Sequence, residues 1–136
     1  MTRDSEALPH YRAAWLALGW LMVGAVGIGS LWPSMPGPAG GLSDKLLHFG
    51  AYSALAFVFA GAIERSRWWR IAFSLLALGI GIEIMQAFWT ESRSAEWLDA
   101  AANTFGVATG LMSAALFPGG WCRQLESAFG APGTRQ

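Results

Sequence analysis

The sequence predicts an all-α protein: a membrane four-helix bundle with both termini in the cytoplasm. Three observations lead to this fold class: hydrophobic residues make up 54% of the 136-residue chain, charged residues make up 13%, and the apolar residues fall into four long stretches. Ordinary soluble domains carry about 25% charged residues. Each stretch holds roughly 18–21 residues, close to the ~20 that a helix needs to cross ~30 Å of hydrocarbon. Their approximate bounds are 13–32, 46–63, 69–89 and 98–117.

The first helix is predicted from about Ala13 to Leu31, after a polar tail of residues 1–12. It contains four glycines and no ionisable residue at membrane depth. Small residues let helix backbones approach closely in membranes, so this helix is interpreted as scaffold. The segment Trp32–Pro38 then ends the helix, because its three prolines cannot continue one.

The second and third helices are predicted to form a hairpin with a tight inner turn. Ser43 or Asp44 is a natural N-cap for the second helix, which extends to about Ile63. The turn follows at residues 64–67, and the third helix ends near Trp89.

The fourth helix is predicted to start near Trp97 and to end before Pro118. Residues 13–117 therefore form the transmembrane domain, and residues 118–136 form a second cytoplasmic tail. Three apolar residues of this tail recur at i, i+4 and i+8, a spacing that suits a short interfacial helix. They are Trp121, Leu125 and Phe129.

Positive charge is distributed unequally between the predicted loops, although the net charge is zero. An excess of Lys and Arg marks the cytoplasmic side of a membrane protein. Only Lys45 and Arg93 fall on the other side, so the loops at 33–43 and 90–97 are predicted to be outside. The cations on the predicted inner side are Arg3, Arg12, Arg65, Arg67, Arg70, Arg123 and Arg135.

Polar side chains from three helices are predicted to meet in one layer near the outer surface. Given a rise of 1.5 Å per residue, His48, Glu83 and Asn103 each lie roughly 6–9 Å below the outer end of their helix. Residues spaced by three or four also share a helix face. Tyr52 shares the face of Asp44 and His48, as either a packing residue or a proton donor. The predicted layer consists of Asp44, Lys45, His48, Glu83, Gln86, Arg93, Asp99 and Asn103.

This layer has two main interpretations from residue types alone. An acid at the centre of a membrane helix costs ~2.5–3.5 kcal/mol, so Glu83 must meet a cation or hold a proton. The layer is then either a staple of ion pairs and hydrogen bonds between helices or a catalytic or ligand-binding site. A metal site is less favoured, because one histidine with scattered carboxylates lacks a recognisable ligand spacing.

The fourth helix also carries a small-xxx-small motif, Gly106 to Gly110. This motif allows close helix packing, either within the bundle or between two copies of the chain. Packing within the bundle is favoured, because the motif continues the face of Asp99 and Asn103.

At these polar positions the chain resembles the VanZ-like family of small membrane proteins, over about residues 30–117. The family's named member is associated with low-level resistance to the glycopeptide teicoplanin in bacteria. The resemblance implies a multi-pass protein of the bacterial inner membrane, but it names no reaction and does not by itself transfer resistance to this chain. The matching pattern is Asp44-Lys45-x-x-His48-Phe49-x-x-Tyr52, then Glu83-x-x-Gln86, Arg93, and Asp99-x-x-x-Asn103-x-x-Gly106-x-x-x-Gly110.

The leading hypothesis is a function at the outer leaflet, acting on or binding a lipid-linked or cell-wall component. In an enzymatic form, Asp44, His48 and Glu83 are the catalytic candidates, with His48 as acid or base oriented by Asp44. The candidate substrate-binding residues are Lys45, Tyr52, Gln86, Arg93, Asp99 and Asn103.

The alternative is a non-enzymatic accessory or binding subunit of an envelope complex, with the polar residues as an interhelical staple. A proton or ion pathway ranks third, because an apolar inner half does not form a continuous pore. The expected partners are the lipid bilayer, the envelope ligand, and a second copy or another membrane protein. No nucleic acid, metal or cofactor is expected.

Overall fold

The computed structural model describes residues 8–31, 42–89 and 97–130, and this part of the chain contains helices and no strand. The all-α prediction is therefore confirmed. A 3₁₀ turn at Arg65–Arg67 forms the tight connection between the second and third helices. The helices are α1 (Arg12–Leu31), α2 (Leu42–Ala62), α3 (Trp68–Trp89), α4 (Trp97–Ala115) and the short α5 (Trp121–Ala128).

The helix bounds follow the predicted ones closely, with one correction at the start of α2. This helix begins at Leu42, so Ser43 and Asp44 lie inside its first turn, and the prediction that either residue caps it is wrong. A carboxylate in the first turn still interacts favourably with the positive end of the helix dipole. The predicted proline-rich loop and the loop after Trp89 lie outside the described residues.

Three helical segments of the described chain are long and apolar enough to cross a membrane: Arg12–Leu31, Leu42–Ala62 and Arg65–Phe88. The fourth long helix, α4, has 19 residues, nearly the length of a span. It is less apolar because it carries Asp99 and Asn103, together with glycines and hydroxyl residues.

The surface of the helices is more apolar than that of a soluble protein. Large apolar side chains such as Ile28, Phe73, Phe88 and Phe105 are exposed on its surface. Exposed apolar faces on helices of this length are expected when lipid, and not water, surrounds the protein. The buried polar or charged residues are His48, Glu83, Gln86, Asp99, Asn103 and Glu126.

The centre of the bundle is the contact between α2 and α4, the most extensive between any two helices of the described chain. A Cβ atom at Gly106 would collide with the backbone oxygen of Phe49, and one at Gly110 with that of Ser53. Only glycine permits so close an approach. The small-xxx-small motif therefore packs within the bundle, as predicted.

At the end of the bundle opposite the polar residues, α5 folds back against the start of α1. The Glu126 carboxylate accepts hydrogen bonds from the backbone N–H groups of His10 (2.6 Å) and Tyr11 (2.9 Å) and from Trp15 Nε1 (2.8 Å). Burial by itself would raise the pKa of Glu126, but these hydrogen bonds and the charge of His10 hold that pKa below its usual value. Glu126 thus accepts hydrogen bonds from backbone N–H groups at the N-terminal end of α1. These groups have no acceptor within the helix itself.

Tryptophan and cysteine side chains complete the docking of α5. Trp121 Nε1 donates to the backbone oxygen of Phe57 (2.9 Å), and the Trp121 ring stacks on the Phe57 ring. Gly61 leaves the space that the Trp121 and Cys122 side chains occupy. Cys122 is completely buried, and burial, with the nearby negative charge of Glu126, raises the pKa of its thiol to about 12.

Candidate functional site

Two pairs of polar residues join α2 to α4 near the N-terminal ends of both helices. Lys45 Nζ lies 3.4 Å from Asp99 Oδ1, and His48 Nδ1 lies 3.1 Å from Asn103 Oδ1. The members of each pair lie close together because α2 and α4 begin at the same end of the bundle. Asp99 and Asn103 occupy successive turns of α4, as Lys45 and His48 do in α2.

The contact with Asn103 defines the tautomer of the His48 ring. An amide oxygen can only accept a hydrogen bond, so Nδ1 of His48 carries the hydrogen. In the neutral ring, Nε2 then keeps its lone pair, which can accept a proton or bind a cation. Asn103 therefore holds the imidazole in the form suited to either role.

Helix α3 reaches the same cluster through a glycine. A Cβ atom at Gly79 would lie 2.8 Å from Asn103 Nδ2 and 3.2 Å from the Tyr52 hydroxyl, so this position has room for no side chain. One turn further along α3, Glu83 is buried and interacts electrostatically with Tyr52. Glu83, Tyr52 and Asn103 therefore belong to the same cluster. We call the cluster of Asp44, Lys45, His48, Tyr52, Glu83, Asp99 and Asn103 the polar group.

Helix α1 is attached to this end of the bundle by Gln86, whose Nε2 donates to the backbone oxygen of Ser30 (2.7 Å). Between α1 and α2, next to this bond, lies a cavity of about 200 Å³. Its walls are mainly apolar, and the ionisable side chains lie on the α2 side. The lining residues are Val26, Gly29, Ser30, Asp44, Leu47, His48, Ala51 and Tyr52.

A larger cavity of about 340 Å³ lies at the opposite end of the bundle, between the N-terminal segment, the 3₁₀ turn and α5. It is lined by Trp68, Trp121 and mostly apolar neighbours, with Glu64 and Arg65 at its edge. These two charged groups do not line the smaller cavity with Asp44 and His48. The smaller cavity is the better candidate site, because it adjoins groups that can do chemistry.

Three residues of the polar group lie in an arrangement that could hold a metal ion. One ligand atom from each of Asp44, His48 and Asp99 lies within 4.8 Å of the others. His48 and Asp99 are buried and Asp44 is half-buried. Asp44 and Asp99 lie in the first turns of α2 and α4, where the positive ends of two helix dipoles favour carboxylates.

A family model described as VanZ/LLP1 matches residues 11–118, which is well over half of the chain. The chain belongs to the VanZ/LLP1 family. The match extends from the start of α1 to just beyond α4, so the VanZ/LLP1 region includes the whole polar group and stops before α5. Neither curated proteins nor solved structures include a significant match to the chain.

Eight of the nine predicted site residues lie at one end of this VanZ/LLP1 bundle, and the ninth, Arg93, lies outside the described residues. The structure adds one partner to the sequence-based interpretation. Asn103 contacts Nδ1 of His48, and the orienting role of Asp44 stays a prediction.

Two features of the VanZ/LLP1 site are not predicted from the sequence. Gly79 makes room for Asn103 and Tyr52, and the backbone oxygen of Ser30 anchors Gln86. A signal for Gly79 does exist, since it precedes Glu83 by four residues and therefore lies on the same helix face. The Ser30 contact has no sequence signal, because any residue presents a backbone oxygen.

Proposed function

We propose that this protein is a multi-pass protein of the bacterial cell membrane that binds the anionic headgroup of a lipid-linked envelope component. All four long helices cross the membrane, both termini are cytoplasmic, and the polar group lies in the outer leaflet. The excess of Lys and Arg in the other loops supports this orientation.

The observation that carries the proposal is the cavity between α1 and α2. It joins an apolar wall of α1 residues to the ionisable groups of Asp44 and His48. A ligand with a hydrocarbon chain and a polar head matches both parts, because the chain packs on the wall while the head meets the side chains. A water-soluble ligand would leave the apolar wall unused.

His48 is the residue best placed for acid–base chemistry at this site. Its Nε2 lone pair is available in the tautomer that Asn103 selects, and the residue lines the cavity. In an enzymatic form, His48 takes a proton from the attacking water or donates one to the leaving group. Glu83 is buried, interacts electrostatically with Tyr52 and acts as the second carboxylate.

Binding can be tested with farnesyl phosphate and farnesol, which share a hydrocarbon chain and differ in the headgroup. The full-length protein is reconstituted in nanodiscs, and binding is followed by the fluorescence of its eight tryptophans. Farnesyl phosphate should bind at least about 10-fold more tightly than farnesol, equivalent to about 1.4 kcal/mol. Release of inorganic phosphate, measured in the same samples, tests the enzymatic form.

The matched variants are His48→Gln in the cavity and His10→Gln at the opposite end, where the side chain is exposed. We expect His48→Gln to weaken farnesyl phosphate binding and His10→Gln to leave it unchanged. Equal affinity of the two compounds for the wild-type protein, with both variants folded, would rule the proposal out.

A second candidate function is a non-enzymatic accessory subunit in which the polar residues only hold helices together. The observation that favours it is that Lys45–Asp99 and His48–Asn103 both connect α2 with α4. In this case His48→Gln should lower the unfolding temperature in detergent without ligand. Photo-crosslinking from residues 91 and 93 in the cell membrane should then trap a partner protein.

A further inference from the structure

The charges of the described polar group do not by themselves suit an anionic headgroup. Asp44, Glu83 and Asp99 supply three carboxyl groups, and Lys45 supplies one ammonium group. That ammonium group is 3.4 Å from Asp99. A phosphate placed beside Asp44 and His48 would lie next to a carboxyl group, and a metal ion between the two would replace repulsion by attraction.

The donor atoms near the cavity instead suit a cation. One ligand atom each of Asp44, His48 and Asp99 lies within 4.8 Å of the others, on two different helices. Four-coordinate zinc with bonds of 2.0–2.1 Å separates its ligands by about 3.3 Å, so modest rotations of the two carboxylates complete the geometry. An imidazole with two carboxylates is a donor set for divalent transition metals, because Mg²⁺ and Ca²⁺ prefer oxygen ligands alone.

Asp99 is a buried carboxylate with only a long ion pair to α2. It is 6% exposed, its Oδ1 accepts no hydrogen bond from residues 8–31, 42–89 or 97–130, and Lys45 Nζ lies 3.4 Å from that oxygen. A direct bond to a cation would compensate this buried charge better than the long ion pair does.

The hydrogen bond on the Nδ1 side of the His48 ring is also typical of a histidine that binds a metal. Ligating histidines commonly donate their other ring N–H to an oxygen, which fixes the tautomer and the ring orientation. The hydrogen bond from His48 Nδ1 to Asn103 Oδ1 has this form and leaves Nε2 to bind the ion.

We infer that Asp44, His48 and Asp99 form a binding site for a divalent transition-metal ion of the Zn²⁺ class. The ion completes its coordination from the cavity, where it holds the phosphate of the ligand. This inference rests on the proposed function for the headgroup, but metal binding itself needs no lipid. Lys45, whose Nζ lies 3.4 Å from Asp99 Oδ1, competes with the metal ion for that carboxylate.

The test uses Zn²⁺ alone. Full-length protein is purified in detergent, treated with a chelator and titrated with Zn²⁺ by calorimetry, with bound metal counted by mass spectrometry. We expect one Zn²⁺ per chain and a rise in the unfolding temperature with Zn²⁺ concentration, because a ligand that binds only the folded state stabilises it. The rise in unfolding temperature is measured on the wild-type protein, so it does not depend on a variant that folds. Absence of a one-to-one Zn²⁺ complex in the wild-type protein overturns the inference.

Matched variants then identify the residues that bind the metal. Asp44→Asn, His48→Gln and Asp99→Asn should each weaken Zn²⁺ binding by at least about 10-fold. His10→Gln and Glu126→Gln, which change a histidine and a buried carboxylate at the opposite end, should bind Zn²⁺ like the wild type. If His10→Gln loses Zn²⁺ and His48→Gln retains it, the site is elsewhere and the inference is wrong.

The Lys45→Met variant distinguishes a metal site from a simple ion-pair network. Removing the competing ammonium group should tighten Zn²⁺ binding if Asp99 is a metal ligand. If the residues form only an ion-pair network, the variant should bind Zn²⁺ no more tightly than the wild type. Binding of Co²⁺, followed by its visible absorption, should change in the His48→Gln variant and not in His10→Gln.

Metal binding and headgroup binding can be refuted independently. Farnesyl phosphate binding that is unaffected by chelator, without any Zn²⁺ complex, refutes the metal and keeps the proposed function. A one-to-one Zn²⁺ complex without farnesyl phosphate binding supports the metal and refutes the headgroup. Tighter farnesyl phosphate binding in the presence of Zn²⁺ supports both.

Discussion

His48 Nδ1 lies 3.1 Å from Asn103 Oδ1, and this hydrogen bond connects α2 with α4 in the interior of the bundle. Both side chains are buried, so neither has water as an alternative partner. The pair therefore contributes to stability and also decides which ring nitrogen of His48 is available at the cavity.

Replacing Asn103 by Leu should destabilise the bundle, because it leaves Nδ1 of His48 buried without an acceptor. Interhelical hydrogen bonds in membrane proteins contribute up to about 1.7 kcal/mol, so we expect a loss of about 1–2 kcal/mol. The free energy of unfolding in mixed micelles measures it. Thr109→Val, an exposed position of α4, is the control. Equal stability of the two variants would show that the hydrogen bond contributes nothing.

Adding one methyl group to α4 at Gly106 should cost about 1–3 kcal/mol, because the new Cβ collides with the Phe49 backbone oxygen and α2 must move away. The matched control is Gly50→Ala on α2, where nothing lies within 4 Å. That change should be neutral or stabilising, since alanine is the better helix former by up to about 1 kcal/mol. The comparison is made on the unfolding midpoints of the two variants. A lower midpoint for Gly50→Ala than for Gly106→Ala would contradict the close packing of α2 and α4.

Acid should weaken the docking of α5 through Glu126. The pKa of this carboxyl is lower in the folded protein than its ordinary value of 4.5, so its contribution is complete above pH 4.5. That contribution is lost as the pH falls through the lower, folded-state pKa. Unfolding free energies across this range should fall less steeply for Glu126→Gln than for the wild type.

The control for the acid effect is Gly106→Ala, which is destabilised without loss of the carboxylate and should keep the wild-type pH dependence. Glu126→Gln should itself cost about 1–3 kcal/mol at pH 7, because its hydrogen bonds no longer involve a charged acceptor. Parallel pH profiles for wild type and Glu126→Gln would mean that another group is responsible.

Cys122 should be unreactive toward maleimide in the folded protein, because the thiolate is the reactive form and the pKa of this buried thiol is about 12. It is the single cysteine of the chain, so labelling reports on α5 alone. We expect Glu126→Gln to label faster than the wild type, and unfolded protein in SDS to label fully. Rapid labelling of the folded wild type would show that α5 is not docked.

Membrane topology can be tested at the chain ends. If α4 crosses the membrane with the other three long helices, the two termini lie on the same, cytoplasmic side. Green fluorescent protein fused to either end should then fluoresce, and alkaline phosphatase fused to either end should be inactive. Hydropathy alone identifies three spans in the described residues, which would place the termini on opposite sides.

Much of the polar site is predictable from the sequence, because helix periodicity gives a residue's face and the rise per residue gives its depth. These two rules identify Lys45, His48, Glu83, Asp99 and Asn103 as members of one layer. They do not give the rotation of one helix relative to another. For that reason the sequence could not show that Asn103 contacts Nδ1 of His48.

The meeting of Asp44, His48 and Asp99 could not be predicted from the sequence for the same reason. Asp44 and His48 are four residues apart, but Asp99 is in another helix, and no local spacing signals that the three side chains meet. Glu126 is harder still, because its partners lie 111–116 residues away in the chain. An acid in a short amphipathic helix is by default a surface residue.

The hydrogen bonds between Glu126 and the start of α1 also constrain when these contacts can form during synthesis. The N–H groups of His10 and Tyr11 are synthesised 116 and 115 residues before their acceptor, Glu126. These donors therefore remain without the carboxylate until α5 has been made and has docked. A chain that stops before residue 126 lacks this contact altogether.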